Sequence, residues 1–362
     1  MLTLRHRTAA TCLAFVMTVP FQGAAQTPTP EPPPTELAQF DELVEVSEVL
    51  LDVLVTDADG NAVLGLGPDD FVIEEDGEAV QITEVSYYTS QYGDGVDGPM
   101  EEVPWSRYLI LVFDQQNRFA QSGTRNMRQM IKVGSQTQRW IEEEMAPSDW
   151  VAVVRWDGAL QVYQDFTQDR EALVRAVKRT SAGKSPEPQR TRDTGLASIL
   201  RQLPRRQQGE RMTIYDALGS LAEASGFIVG RKNLILFTLG FGRENRFGHD
   251  TDHDTELYTP LETLLNDHNV AVYPIDTTPA GRQPRYSGAL GQLAEDTGGV
   301  YHENFIGFIN PLKDVAEENV GYYLVSYQSA RPAGEVGYQR LDVRTADPDM
   351  EVRTRRGYRY GL

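Results

Sequence analysis

Residues 108–114 read YLILVFD. The first six are apolar or aromatic without interruption. A strand with no polar face must be covered on both sides, which is the mark of a parallel sheet clothed by helices. Working outward, similar runs recur at VAVV (151–154), LILF (234–237) and VAVYPI (270–275), with a further strand at 161–166 and a short one at 300–302. Helical stretches lie between them, at about 120–144, 171–179, 212–226, 257–266, 287–296 and 313–319. Gly298-Gly299 closes the fifth. This alternation predicts an α/β unit with a doubly wound, mostly parallel sheet.

The two ends have a different grammar. Residues 44–56, 71–73 and 80–88 read as strands separated by Asp-Gly turns, and 322–327, 340–345 and 351–355 as strands separated by Pro and Gly. Three strands alone make a marginal unit. One β-sandwich assembled from both ends, 44–90 with 321–360, flanking an α/β domain over 105–320, is the economical architecture. Residues 91–104 are rich in Gly and Pro and read as a linker.

The N-terminus sets the expected compartment. Arg5 and Arg7 precede a short apolar run from Cys12 to Phe21, followed by the small residues Gly23-Ala24-Ala25. This is the layout of a secretory signal peptide over 1–25. A Pro-rich leader, TPTPEPPPT within 26–43, follows. Export to the periplasm or the cell exterior is expected, with no transmembrane segment in the mature chain. The net charge of -19 would become -21 once Arg5 and Arg7 leave. A chain this acidic repels nucleic acid. Cys12, the only cysteine, leaves with the signal, so neither a disulfide nor a thiol nucleophile is expected. No G-x-S-x-G, H-E-x-x-H or phosphate-loop pattern occurs.

Three blocks in the middle of the chain, LILVFDQQN (109–117), MTIYDALGSLAEA (212–224) and GRKNLILFTLG (230–240), resemble a von Willebrand factor A domain. The flanks LLDVLVTDADGNAVLGLGPDDFVIEEDGEAVQI (50–82), LAEDTGGVYHE (293–303), GYYLVSYQ (321–328) and VRTRRGY (352–358) resemble a secreted bacterial subgroup called VWFA-related. The resemblance implies a metal-ion-dependent adhesion site at the C-terminal edge of the sheet. There an acid, two hydroxyls, a threonine and a second acid surround Mg²⁺, and a partner carboxylate completes the shell. In this sequence Asp114 and Thr213 match that pattern. Gln116 and Arg118 stand where the hydroxyls belong, and Leu239 stands where the second acid belongs. Mg²⁺ affinity is therefore expected to be lost or very poor. Arg118 either pairs with Asp114 in place of the ion or points to solvent.

A second cluster, His249, Asp250, Asp252, His253 and Asp254, follows the third loop. Alternating acids suit Ca²⁺, and two histidines among acids suit Zn²⁺. The competing reading is a solvated acidic loop that caps the helix beginning near Glu256. The basic residues Arg353, Arg355, Arg356 and Arg359 are expected to pair with acids of the N-terminal strands such as Glu45 and Glu48. Tyr87, Tyr88, Tyr92 and Trp105 are expected to pack at the domain junction.

The functional expectation is an exported, non-enzymatic protein-binding module. It contacts its partner through Asp114, Gln116, Arg118 and Thr213. The basic insertion over 181–211 borders the same edge, so an acidic partner fits. The alternative is a structural envelope or matrix protein in which the β-sandwich is the working part. A metal-dependent hydrolase using His249 and His253 is a third reading.

Overall fold

The computed structural model describes residues 44–89, 103–104, 106–115, 123–188, 198–204, 210–244, 251–279, 281–303, 307–332 and 336–361. The signal-peptide and leader readings, Gln116, Arg118, His249, Asp250, Tyr92 and Trp105 lie outside the described residues, as does most of the linker.

Residues Leu43–Leu362 form one compact unit. Its first strands are β1 (Val44–Thr56), β2 (Phe71–Glu75), β3 (Glu78–Ala79), β4 (Ile82–Thr89) and β5 (Val103–Pro104). The middle adds β6 (Tyr108–Asp114), α1 (Gly123–Glu143), β7 (Trp150–Trp156), β8 (Leu160–Thr167), α2 (Arg170–Ser181), α3 (Ile199–Gln202), α4 (Ile214–Ser225) and β9 (Lys232–Thr238). The short β10 (Arg243–Glu244) and β11 (Thr251–Asp252) follow. Then come α5 (Thr255–Asp267), β12 (Val270–Asp276), α6 (Ser287–Thr297) and α7 (Ile309–Glu318). The chain closes with β13 (Gly321–Pro332), β14 (Gly337–Thr345), β15 (Glu351–Arg353) and β16 (Gly357–Tyr360).

The central sheet has the order β12-β9-β6-β7-β8. All its pairs are parallel except β7 with β8. Alternate residues of the apolar runs feed two cores. Ile110 and Val112 pack with α3 to α6, while Leu109, Leu111 and Phe113 pack with α1, α2 and α7. Both faces of the sheet are covered, which is why these strands show no polar alternation.

The end strands form two layers, β15-β1-β13-β4-β5 and β16-β14-β2-β3, antiparallel throughout except for β4 with β5. Val49, Leu51, Val53 and Val55 of β1 face Phe71, Ile73 and Leu341 across the core between the layers. Glu75 is buried in that core. Its carboxylate accepts hydrogen bonds from Tyr327 Oη at 2.6 Å, Ser329 Oγ at 2.6 Å and Tyr358 Oη at 2.5 Å. Tyr327 and Ser329 belong to one layer and Tyr358 to the other, so one acid ties the layers together. Tyr87 packs on Tyr323 inside the sandwich core, at a centroid distance of 4.9 Å, rather than at the junction. Tyr88 stacks on Tyr322 at 5.4 Å, on the face of the layer opposite that core.

The opposite face of β1 is also covered. Asp52 and Leu54 are buried there, because the N-terminal edge of the central sheet lies against them. Asn269 Nδ2 donates to Asp52 Oδ2, and Thr354 Oγ1 donates to the Asp52 carbonyl at 2.9 Å. Arg231, Lys232 and Arg355 act on the same carboxylate electrostatically, yet burial dominates and raises its pKa. The Lys232 ammonium donates to the carbonyls of Ile228 and Gly230, and burial lowers its pKa to about 8.

In the basic C-terminal segment Arg355 faces β1, donating to the Leu50 carbonyl and acting on Asp52, whereas the other arginines meet different acids from those expected. Arg353 pairs with Glu318 at 2.7 Å, Arg356 with Asp296 at 3.2 Å and with Glu295, and Arg359 with Asp267 at 2.5 Å. These acids sit on α5, α6 and α7. The chain pairs with β1 for only three residues at β15, then leaves the sheet and crosses the helix ends. Gly298 shows how closely it crosses. Its φ is +74°, and a Cβ there would lie 2.8 Å from the Thr354 backbone, so glycine answers two demands at once.

Candidate binding edge of the central sheet

From β6 the chain builds outward to β7 and β8, then crosses back to β9 and β12 on the other side. The order reverses between β6 and β9. Ligands of open α/β sheets bind in the crevice at the strand C-termini where such a reversal occurs. Asp114 ends β6 and Thr238 ends β9, so the two flank this point.

Asp114 is only 7% exposed. Thr238 Oγ1 donates to its Oδ2 at 2.7 Å, and the same hydroxyl accepts the N–H of Gly240 at 2.8 Å. Neighbouring Gln115 is buried, with Nε2 donating to the Thr180 carbonyl at 2.9 Å. The acid is thus held in place on a rigid strand end.

Thr213 is the N-cap of α4. Its hydroxyl accepts from Asp216 N–H at 3.1 Å and donates to Asp216 Oδ2 at 2.7 Å, while its own N–H also donates to that carboxylate. This reciprocal capping box explains why the helix starts here. Asp114 lies opposite Trp156 in the β6–β7 register, and the Trp156 indole donates to the Met212 carbonyl at 3.3 Å. The Thr213 loop and Asp114 therefore occupy the same sheet edge with Trp156 between them. Leu239 directly follows Thr238 and offers the edge no acid.

Asp276 was not singled out from the sequence. It ends β12 and is paired in register with Thr238, so Asp114, Thr238 and Asp276 close three adjacent strands. Asp276 is 2% exposed. Its Oδ1 accepts from Thr278 N–H at 2.8 Å, its Oδ2 has no hydrogen-bond partner, and burial raises its pKa. The available signal was the one that marked Asp114, an acid at the end of an apolar run. Thr238 also escaped notice, because a threonine inside a strand reads as an ordinary β-branched residue.

His253 proves to be a packing hub. Its Nε2 lies 2.6 Å from the Ala289 carbonyl, which can only accept, so Nε2 carries the proton. Nδ1 then accepts from Tyr215 Oη at 3.1 Å. The ring stacks on Tyr258 at 4.0 Å and packs against Phe241. With both nitrogens engaged, this histidine fastens the end of the 249–254 loop to α4 and α6 and offers no lone pair to Zn²⁺ in this arrangement. Asp254 precedes α5 and pairs with Arg243 at 3.4 Å. Asp252 lies on β11, whose backbone pairs with Arg243 of β10.

Among the described residues, the positions of the Mg²⁺ shell implied by the family resemblance are otherwise engaged: one oxygen of Asp114 accepts from Thr238, the Thr213 hydroxyl serves Asp216, and Leu239 supplies no side-chain oxygen. Among the described residues no three of His, Cys, Asp or Glu are grouped so that they could hold a metal ion.

No protein-family model matches the sequence, and no curated protein matches it. Solved structures do. The conserved hypothetical protein BatB from Bacteroides thetaiotaomicron is 14% identical, with 59% of this chain covering 97% of that one at a TM-score of 0.36. The three N-terminal domains of the type V pili tip protein Mfa5 from Porphyromonas gingivalis are 8% identical, with 88% and 69% covered at 0.38. Proximal thread matrix protein 1 from the mussel byssus, in a form with a zinc-occupied MIDAS motif, is 13% identical at 0.35. In that match 60% of this chain spans 46% of the mussel protein. These are distant likenesses, and the fold assignment rests on the chain's own strand order. By that order the middle of the chain is a doubly wound, mostly parallel α/β domain, the fold class that the von Willebrand factor A resemblance implies.

Proposed function

We propose that the chain is an exported, non-enzymatic binding protein whose C-terminal sheet edge recognises another protein without a resident metal ion. The observation that carries this reading is Asp114. It is a rigidly held carboxylate at the point where the strand order reverses, and its neighbours do not complete an Mg²⁺ shell. Gln116, Arg118 and the Thr213 loop would border it, within an α/β domain over 105–320 flanked by a sandwich of 44–90 and 321–360. Among the described residues no helix is long and apolar enough to cross a membrane. His253, required by a metal-hydrolase reading, is committed to packing.

The test is affinity capture from the native envelope and medium fractions with the wild-type protein and a Gln116→Ala, Arg118→Ala variant. A partner held by the wild type in the presence of chelator and lost by the variant supports the reading. A partner held equally by both contradicts it.

A further inference from the structure

Beside the Thr213 loop, helices α4 and α5 enclose a groove of about 370 Å³. We infer that this groove receives a basic, amphipathic segment of a protein partner. The groove adjoins the sheet edge through Met212 and Asp216, but the inference uses the helix flank and not Asp114.

The floor is apolar: Met212, Leu257, Leu261 and Leu264 contribute to it. Leu257 is still 38% exposed. Gly219 lets the helices approach, since a Cβ there would come 3.1 Å from Leu264 Cδ1. A larger residue at 219 would fill the groove. Among the described lining residues the acids are Glu210, Asp216 and Glu223 and the base is Arg211. Three acids around an apolar floor favour side chains that carry a cation on an apolar stem, as lysine and arginine do.

Pro260 lies inside α5 and lines the groove. Floor and rim charge together select one class of occupant, a segment interleaving Lys or Arg with Leu-like residues.

The experiment uses the full chain with Cys12→Ser and Leu257→Cys, the latter labelled with an environment-sensitive fluorophore. The probes are two synthetic amphipathic peptides of equal leucine content, one with lysine and one with glutamate at every polar position. The expected result is a saturable response to the lysine peptide only. Glu223→Lys should weaken it roughly tenfold or more, whereas Glu171→Lys, the same charge change on α2, should leave it unaltered. Equal weakening by both substitutions would show attraction to net charge alone and would overturn the inference. So would the absence of a saturable response. A concentration-dependent label change without peptide, matched by dimerisation in sedimentation, would assign the groove to a second copy and overturn it equally.

Discussion

Thr238 gives its hydroxyl proton to Asp114 across two neighbouring strand ends, at 2.7 Å. The pair straddles the reversal in strand order, so the bond fixes the carboxylate where a partner would meet it. Thr238→Val keeps the shape and removes the donor. It should cost about 1–3 kcal/mol, the penalty of leaving a buried acceptor short of a partner, and Thr238→Ser should recover most of it. Urea unfolding of the three proteins checks this, and equal stabilities would remove the bond from the account.

His253→Ala deletes a stacked ring and two hydrogen bonds from the junction of α4, α5 and α6. A loss of about 3 kcal/mol is expected, comparable with other ring deletions from cores. Because His253 anchors the loop before α5, amide exchange at 251–254 should rise more than exchange in β6. A uniform rise across both would mean that the residue stabilises the whole fold without holding the loop in particular.

Much of this architecture was legible in the chain. The runs at 108–113, 234–237 and 270–275 announced two-sided burial, and β6, β9 and β12 are where those runs stand. The antiparallel direction of β8 was not legible, since an apolar pattern has no polarity along the chain. Charge alone could not choose partners for Arg353, Arg356 and Arg359. Acids on β1 and acids on α5 to α7 look alike in sequence, and only the path of the chain after β15 separates them. The packing role of His253 was not legible, because a histidine among acids has the composition of a metal or solvated loop, while the Ala289 carbonyl that claims it lies 36 residues away.

Asp52 accepts from Asn269 in the buried contact between β1 and the central sheet, where Arg231, Lys232 and Arg355 act on it at longer range. Asp52→Ala leaves the Asn269 amide without its acceptor and should cost about 1–3 kcal/mol, the range for leaving a buried polar group short of a partner. Arg359→Ala, at an exposed pair, should cost about 1 kcal/mol or less. Thermal unfolding distinguishes the two, and similar losses would show that the Asp52 contact is not desolvated as described.

Burial beside Arg353 lowers the pKa of His302 from 6.5 to about 4. The unfolded chain then binds more protons than the native state between those values. Stability should fall as pH drops through 6.5 towards 4, by up to about 3 kcal/mol from this residue. His302→Asn should flatten that part of the profile. Chemical denaturation at several pH values checks it, and an unchanged slope in the variant would assign the acid sensitivity to other groups.

The central claim is recognition at the sheet edge without a metal. Titration calorimetry of the metal-stripped protein with Mg²⁺, Mn²⁺, Ca²⁺ and Zn²⁺, repeated on Asp114→Ala, tests it most directly. The account predicts no saturable heat at millimolar Mg²⁺ or Mn²⁺ and no difference between the two proteins. Saturable Mg²⁺ binding that disappears with Asp114 would contradict it.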